Sequence, residues 1–210
     1  MNLSIKYSQF KVRTVSMIRL EYFTPDDFPL LIDWINSEDL LVNWAGTQFK
    51  FPLTDEKLHH YLKHSNDFDH SRTLNFKVVE TVSGENIGHV SLSVIDRENR
   101  SARITRVLVG NSDKRGTGLG SKIIKSMLKI GFEDLNLHRM SLGVYDFNVA
   151  GIKCYTKCGF KIDGILRDIK RMPDTFWSII EMSILESEYH SMYKDQSTLL
   201  SVDAVHERKA

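Results

Sequence analysis

Strong net charge, long apolar runs and a cysteine framework are all missing from this chain. Lysine plus arginine total 28 against 27 aspartate plus glutamate in 210 residues, a formal net charge of +1. No overall field therefore steers the protein toward nucleic acid or anionic lipid, and neither is expected as a partner. No apolar run approaches the ~20 residues of a membrane-crossing helix, and residues 1–15 lack the apolar core of a signal peptide. The expected setting is the cytoplasm, with no membrane association. The only cysteines are Cys154 and Cys158. Four apart in a helical pattern, they are poorly placed for a bridge and read as reduced, structural thiols. Internal repeats and low-complexity tracts are absent too. What remains, 41% hydrophobic and 26% charged, is an ordinary composition for one well-cored domain.

That domain is expected over residues 17–189, between an N-terminal extension (1–16) and a polar C-terminal tail (190–210). Residues 18–22 alternate as a strand. Thr24-Pro25-Asp26-Asp27 then supplies a cap, a proline suited to the first helical position and two acids that favour the helix dipole. Phe28, Leu31, Trp34 and Ile35 follow at helical spacing. Residues 42–53 read as an aromatic connector, after which Thr54-Asp55-Glu56 opens a second helix with Leu58, Tyr61 and Leu62. The period then changes to two. Residues 74–82 and 87–95 form a hairpin about Ser83-Gly84-Glu85-Asn86, and 101–109 continue the meander. A strongly amphipathic helix carries Leu119, Ile123, Ile124, Met127, Leu128 and Gly131 on one side. Strand 139–144, helix 148–157 and strands 160–166 and 177–185 complete an α/β domain with a mixed sheet flanked by helices.

The clearest chemical signal is Arg115-Gly116-Thr117-Gly118-Leu119-Gly120, followed by Ser121 at the head of that helix. A phosphate site needs several backbone N–H groups aimed at one point, which glycines permit and a helix N-terminus supplies. The spacing is neither the Gly-x-Gly-x-x-Gly of dinucleotide folds nor a loop ending in Gly-Lys-Ser/Thr. The alternative is a turn that merely lets strand and helix pack closely.

With Asn148-Val149-Ala150-Gly151-Ile152-Lys153-Cys154-Tyr155-Thr156-Lys157-Cys158-Gly159-Phe160 about thirty residues later, the sequence resembles the GNAT acetyltransferases. Their cofactor loop has the form Arg/Gln-x-x-Gly-x-Gly/Ala. Leu137-His138-Arg139-Met140 and Gly164-Ile165-Leu166-Arg167-Asp168 resemble the branch holding ribosomal-protein N-terminal and spermidine acetyltransferases. The resemblance implies a single-domain GNAT fold whose mostly antiparallel, twisted sheet splays between strands at 106–109 and 139–144 to admit acetyl-CoA. It also implies that backbone groups of Val107, Leu108 and Val109 hold the pantetheine and thioester. Lys114, Arg115, Gly116, Thr117, Gly118, Leu119, Gly120 and Ser121 would take the pyrophosphate. Asn148 would hydrogen-bond the pantetheine arm, although it also stands where a helix N-cap belongs. Tyr155 would protonate the departing CoA thiolate, its alternative being a packed core tyrosine.

The resemblance implies an acetyl-CoA-dependent N-acetyltransferase acting by direct amine attack on a protein N-terminus, polyamine, aminoglycoside or other small amine, with a homodimer common in the family. The general base stays open. Many relatives place a glutamate on the strand before the loop, but this chain reads Ala102-Arg103-Ile104-Thr105-Arg106-Val107, and Asp96, Glu98 and Asp146 also read as solvated turn acids. Trp34, Trp44 and Phe49 are candidates for the acceptor wall, or for packing between the first helices. His59, His60, His64 and His70 invite a metal reading, since His60 and His64 share a helix face, yet no acid or further ligand completes a site, and no metal is expected. The rival readings are a CoA-binding regulatory module without turnover and a nucleotide-binding protein unrelated to CoA.

Overall fold

Alternation of apolar and polar residues builds the sheet, and even-numbered apolar residues such as Leu20, Phe76, Ile104, Leu142 and Met182 fill its main core. The computed structural model describes residues 18–110 and 114–193. The expected extension at 1–16 and residues 194–210 of the expected tail lie outside the described residues, as do 111–113 of the cofactor loop. Strands β1 (Ile18–Tyr22), β2 (Leu74–Glu80), β3 (Asn86–Asp96) and β4 (Ser101–Val109) are joined by β5 (Arg139–Tyr145), β6 (Lys161–Arg171) and β7 (Phe176–Leu185). They form one seven-stranded sheet in the order β1-β2-β3-β4-β5-β7-β6. Every neighbouring pair is antiparallel except β4 and β5, which run parallel. This is the α/β mixed sheet expected from the order of the elements.

Helix α4 (Leu119–Lys129) covers one face, and its predicted stripe is the buried one: Ile123, Ile124, Met127 and Leu128 are fully enclosed. Each such side chain contributes about 1.5–3 kcal/mol through removal from water. On β3, Val90 and Leu92 join this core while His89 and Ser91 alternate to the other face, where Tyr61 meets them. That second face is covered by α1 (Phe28–Trp34), α2 (Glu38–Ala45) and α3 (Asp55–Leu62), whose Phe28, Leu31, Leu41, Trp44 and Leu58 form a separate core with Leu108 of β4.

Three expectations change. Part of the aromatic connector is the helix α2, capped by Ser37, whose Oγ accepts from Leu40 N at 3.3 Å; its brevity hid its period. Helix α3 ends at Leu62 and His64 has φ 61°, so His60 and His64 do not share a helix face. Beyond β7, α6 (Glu186–Tyr193) carries residues 190–193 of the expected tail, and the Tyr193 hydroxyl donates to the Cys158 carbonyl at 3.2 Å.

Candidate active site

The site begins where two parallel strands part. β4 and β5 pair only from Ser101, Ala102 and Arg103 to Arg139, Met140 and Ser141. On its other edge β4 holds one extra residue against β3, since Ser91 pairs with Thr105 but His89 with Leu108. Such a bulge bends the strand and raises its twist. Its centre is Arg106, at φ 55°. Two side chains on the α2/α3 face pin the Arg106 carbonyl: Trp44 Nε1 donates at 3.0 Å and His89 Nδ1 at 3.4 Å. The gap opened between the strands is a cavity of about 320 Å³. Thr105, Arg106 and Val107 wall it from β4, Gly143 and Val144 from β5, and Trp44 from α2.

Helix α5 (Val149–Lys157) closes one side with Asn148 and Tyr155. Asn148 is the helix N-cap, its Oδ1 accepting from Gly151 N at 2.9 Å, and it still borders the cavity. Tyr155 is largely buried, and burial pushes its phenol well above the ordinary tyrosine range. It therefore keeps its proton at neutral pH and stands at the cavity as a donor.

The glycine loop leads into α4 at the end of β4. Gly116 (φ 77°) and Gly118 (φ 86°) are both left-handed, and a Cβ at either would meet nothing within 4 Å. Backbone conformation, not crowding, requires glycine there. Gly118 is the N-cap of α4, so the N–H groups of Leu119, Gly120 and Ser121 lie in the first turn, where no intrahelical acceptor exists. The Leu119 side chain is buried, leaving only its backbone for a ligand. Thr117 Oγ1 donates to Lys114 O at 2.7 Å and closes the turn. The Lys114 ammonium is tied to Glu80 at 3.2 Å and reaches Glu85 at 3.9 Å, whereas Arg115 is exposed with Nε 3.4 Å from Val109 O.

At this same helix start the two thiols meet α4. Ser121 Oγ lies 3.3 Å from Cys154 Sγ, and Cys158 Sγ donates to Ser121 O at 3.8 Å. The neighbouring Cys158 thiol, with Ser121 and Lys157 nearby, holds the half-buried Cys154 thiol below its ordinary value.

A family model described as "Acetyltransferase (GNAT) domain" matches residues 18–161. The chain belongs to the GNAT acetyltransferase family. An uncharacterized N-acetyltransferase p20 of Bacillus licheniformis is 30% identical over 114 residues, covering 54% of this chain and 63% of that protein. Spermidine N(1)-acetyltransferase of Escherichia coli K12 is 30% identical over 134 residues, 64% of this chain and 68% of that protein. In three dimensions, spermidine N-acetyltransferase of Vibrio cholerae, solved in complex with CoA and spermine, superposes with a TM-score of 0.71 at 23% identity. It covers 82% of this chain and 97% of that one.

In this GNAT chain the three aromatic candidates separate. Trp44 walls the cavity, but Phe49 stands behind it, stacked at 5.9 Å, and the Trp34 ring lies against Gly110 past the end of β4. None of the acids considered as bases is among the residues walling the cavity: Asp96 caps its own turn through Asn99, and Glu98 and Asp146 are exposed. Sequence reasoning missed Arg103 and Glu181, a two-pronged pair at 2.6 and 2.8 Å that reaches across Gly143, where a Cβ would overlap the Arg103 guanidinium. A lone glycine inside an apolar strand was the available signal.

Proposed function

We propose that this chain transfers the acetyl group of acetyl-CoA to a primary amine by direct attack within a ternary complex. The observation that carries the reading is the cavity between β4 and β5, bordered by Tyr155, whose phenol burial holds in its protonated form. The loop from Lys114 to Ser121 would take the pyrophosphate through the first-turn N–H groups of α4. At the end of β4, the N–H of the following Gly110 is spent on Ile87 O at 3.0 Å and the Leu108 carbonyl crowds Gly88, so both face β3. Val109 alternates with them, toward the gap, and its N–H is the better placed to polarise the thioester carbonyl. Tyr155 then donates its proton to the departing sulfur. No covalent enzyme intermediate is required. The chain would work in the cytoplasm as a homodimer closed over β6.

The test is release of free CoA thiol from acetyl-CoA by the purified chain with a panel of amino acids, N-terminal peptides, polyamines and aminoglycosides. Release with at least one acceptor supports transfer, and silence across the panel rejects it. One observation favours a second reading: among the described residues, no Asp or Glu walls the cavity. A CoA-binding regulatory module would bind acetyl-CoA in a calorimetric titration and release no thiol with any amine.

A further inference from the structure

Arg106 carries a positive charge that no described carboxylate answers. Its guanidinium lies over the Tyr61 ring, 4.8 Å from the centre, and Nη1 donates to Thr105 Oγ1 at 3.2 Å. Its Nε is buried without a hydrogen-bond partner. Arg103, three residues earlier on the same strand, is by contrast matched by both oxygens of Glu181. Arg106 as a whole is half-buried, and a guanidinium keeps its proton at any working pH, so withdrawing even part of it from water without a counter-ion is costly. A bound anion offsets that cost by supplying both charge and acceptors.

The surroundings agree. Arg103 and Arg106 both wall the cavity, and among the described residues no acidic one does. A polyamine or aminoglycoside would bring further positive charge against them, whereas an amine that also carries a carboxylate would not. The planar fork of arginine suits a carboxylate through two parallel N–H···O bonds. The bonds from Trp44 and His89 to the Arg106 carbonyl fix the backbone from which this side chain starts. The same charge disfavours the ammonium form of a neighbouring amine, which raises the share of neutral nucleophile where no carboxylate base is at hand.

We propose that Arg106 anchors an acidic group of the acceptor, so that the chain acetylates amines bearing a nearby carboxylate in preference to polycations. The inference rests on the transferase reading above. Free amino acids and peptides with an acidic residue next to the N-terminus share this chemistry, and the assay separates them.

The full chain and acetyl-CoA would be assayed with aspartate and glutamate, their amides, acidic and amidated dipeptides, and spermidine. Each carboxylate acceptor should exceed its amide in kcat/KM by about tenfold to a hundredfold, the worth of one charged hydrogen-bonded contact. Arg106→Met should erase most of that preference while leaving KM for acetyl-CoA unchanged, and Arg106→Lys should restore part of it. A preference for spermidine over every carboxylate acceptor would overturn the inference. So would an Arg106→Met variant that keeps the preference, or one that alters only the KM for acetyl-CoA. If circular dichroism shows that variant misfolded, the acid-against-amide comparison on the unmodified chain decides alone. If no amine releases CoA, the transferase reading fails separately. The anchor is then judged by calorimetric titration of glutamate against its diamide: binding of the acid alone supports it, and equal behaviour overturns it.

Discussion

A phenol held among apolar neighbours gives up its proton reluctantly, and Tyr155 packs against the main core on the inner side of α5. That environment suits an acid for a thiolate leaving group, because the proton is present whenever the sulfur needs it. Replacing Tyr155 with Phe removes one oxygen and keeps the packing. Turnover should fall by about 10² or more, the usual contribution of a positioned general acid, with KM for acetyl-CoA nearly unchanged. The kcat of the unmodified chain should not decline between pH 8 and 9, since the raised phenol does not ionise there. Equal turnover in the Tyr155→Phe variant would remove the hydroxyl from the chemistry and leave Tyr155 as a packing residue.

At the scale of elements, the bulge in β4 is held by a buried polar cluster between β3 and α3. His89 is fully enclosed, and desolvation depresses its pKa from 6.5 to about 3 despite its bond to the Arg106 carbonyl. Tyr61, pushed up to about 12 chiefly by burial, lies 3.5 Å from His89 Nε2 and 2.5 Å from Ser91 Oγ. The charge of Arg106 faces the imidazole as well and opposes its protonation. A histidine depressed in this way favours the folded chain fully above pH 6.5, where neither state is protonated. The benefit is lost as pH falls from 6.5 toward 3, because only the unfolded chain takes up the proton. By pH 5.5 the loss should be about 1.4 kcal/mol, readable as a lower urea midpoint than at pH 7.5. His89→Gln should flatten that slope; an unchanged slope would place the pH dependence elsewhere. None of this cluster was legible in the sequence, because a bulge leaves no composition signal and His89 merely occupies one place in an alternating strand. The strands and the stripe of α4 were legible because period two and period 3.6 are written in side chains. The loop at 115–120 was legible because left-handed backbone demands glycine. The Arg103–Glu181 pair joins residues far apart in the chain, which local pattern does not reveal.

At the scale of the whole molecule, a chain with net charge +1 has little self-repulsion to keep copies apart, and the sheet ends on a strand with exposed apolar side chains. β6 is the last strand in the order and among the described residues pairs only with β7, so within these residues its outer edge presents unpaired N–H and C=O groups. Ile162, Ile165, Leu166 and Ile169 along it are exposed by 57%, 59%, 43% and 53%, and Phe176 of β7 by 54%. Four large apolar side chains lie exposed along this strand, and in the homodimer reading a second copy of the same edge would cover them symmetrically. Arg167, Asp168, Lys170 and Arg171 interrupt the apolar run, and Asp168 takes a left-handed φ of 52°. Such charges and irregularities limit open-ended stacking, which favours a closed pair over a fibre. The homodimer reading thus makes a definite prediction for analytical ultracentrifugation at micromolar concentration. The unmodified chain should sediment as a dimer, and Ile165→Lys combined with Ile169→Lys should sediment as a monomer with an unchanged circular dichroism spectrum. A monomeric unmodified chain at the highest soluble concentration, or a dimer indifferent to both substitutions, would move the interface away from β6.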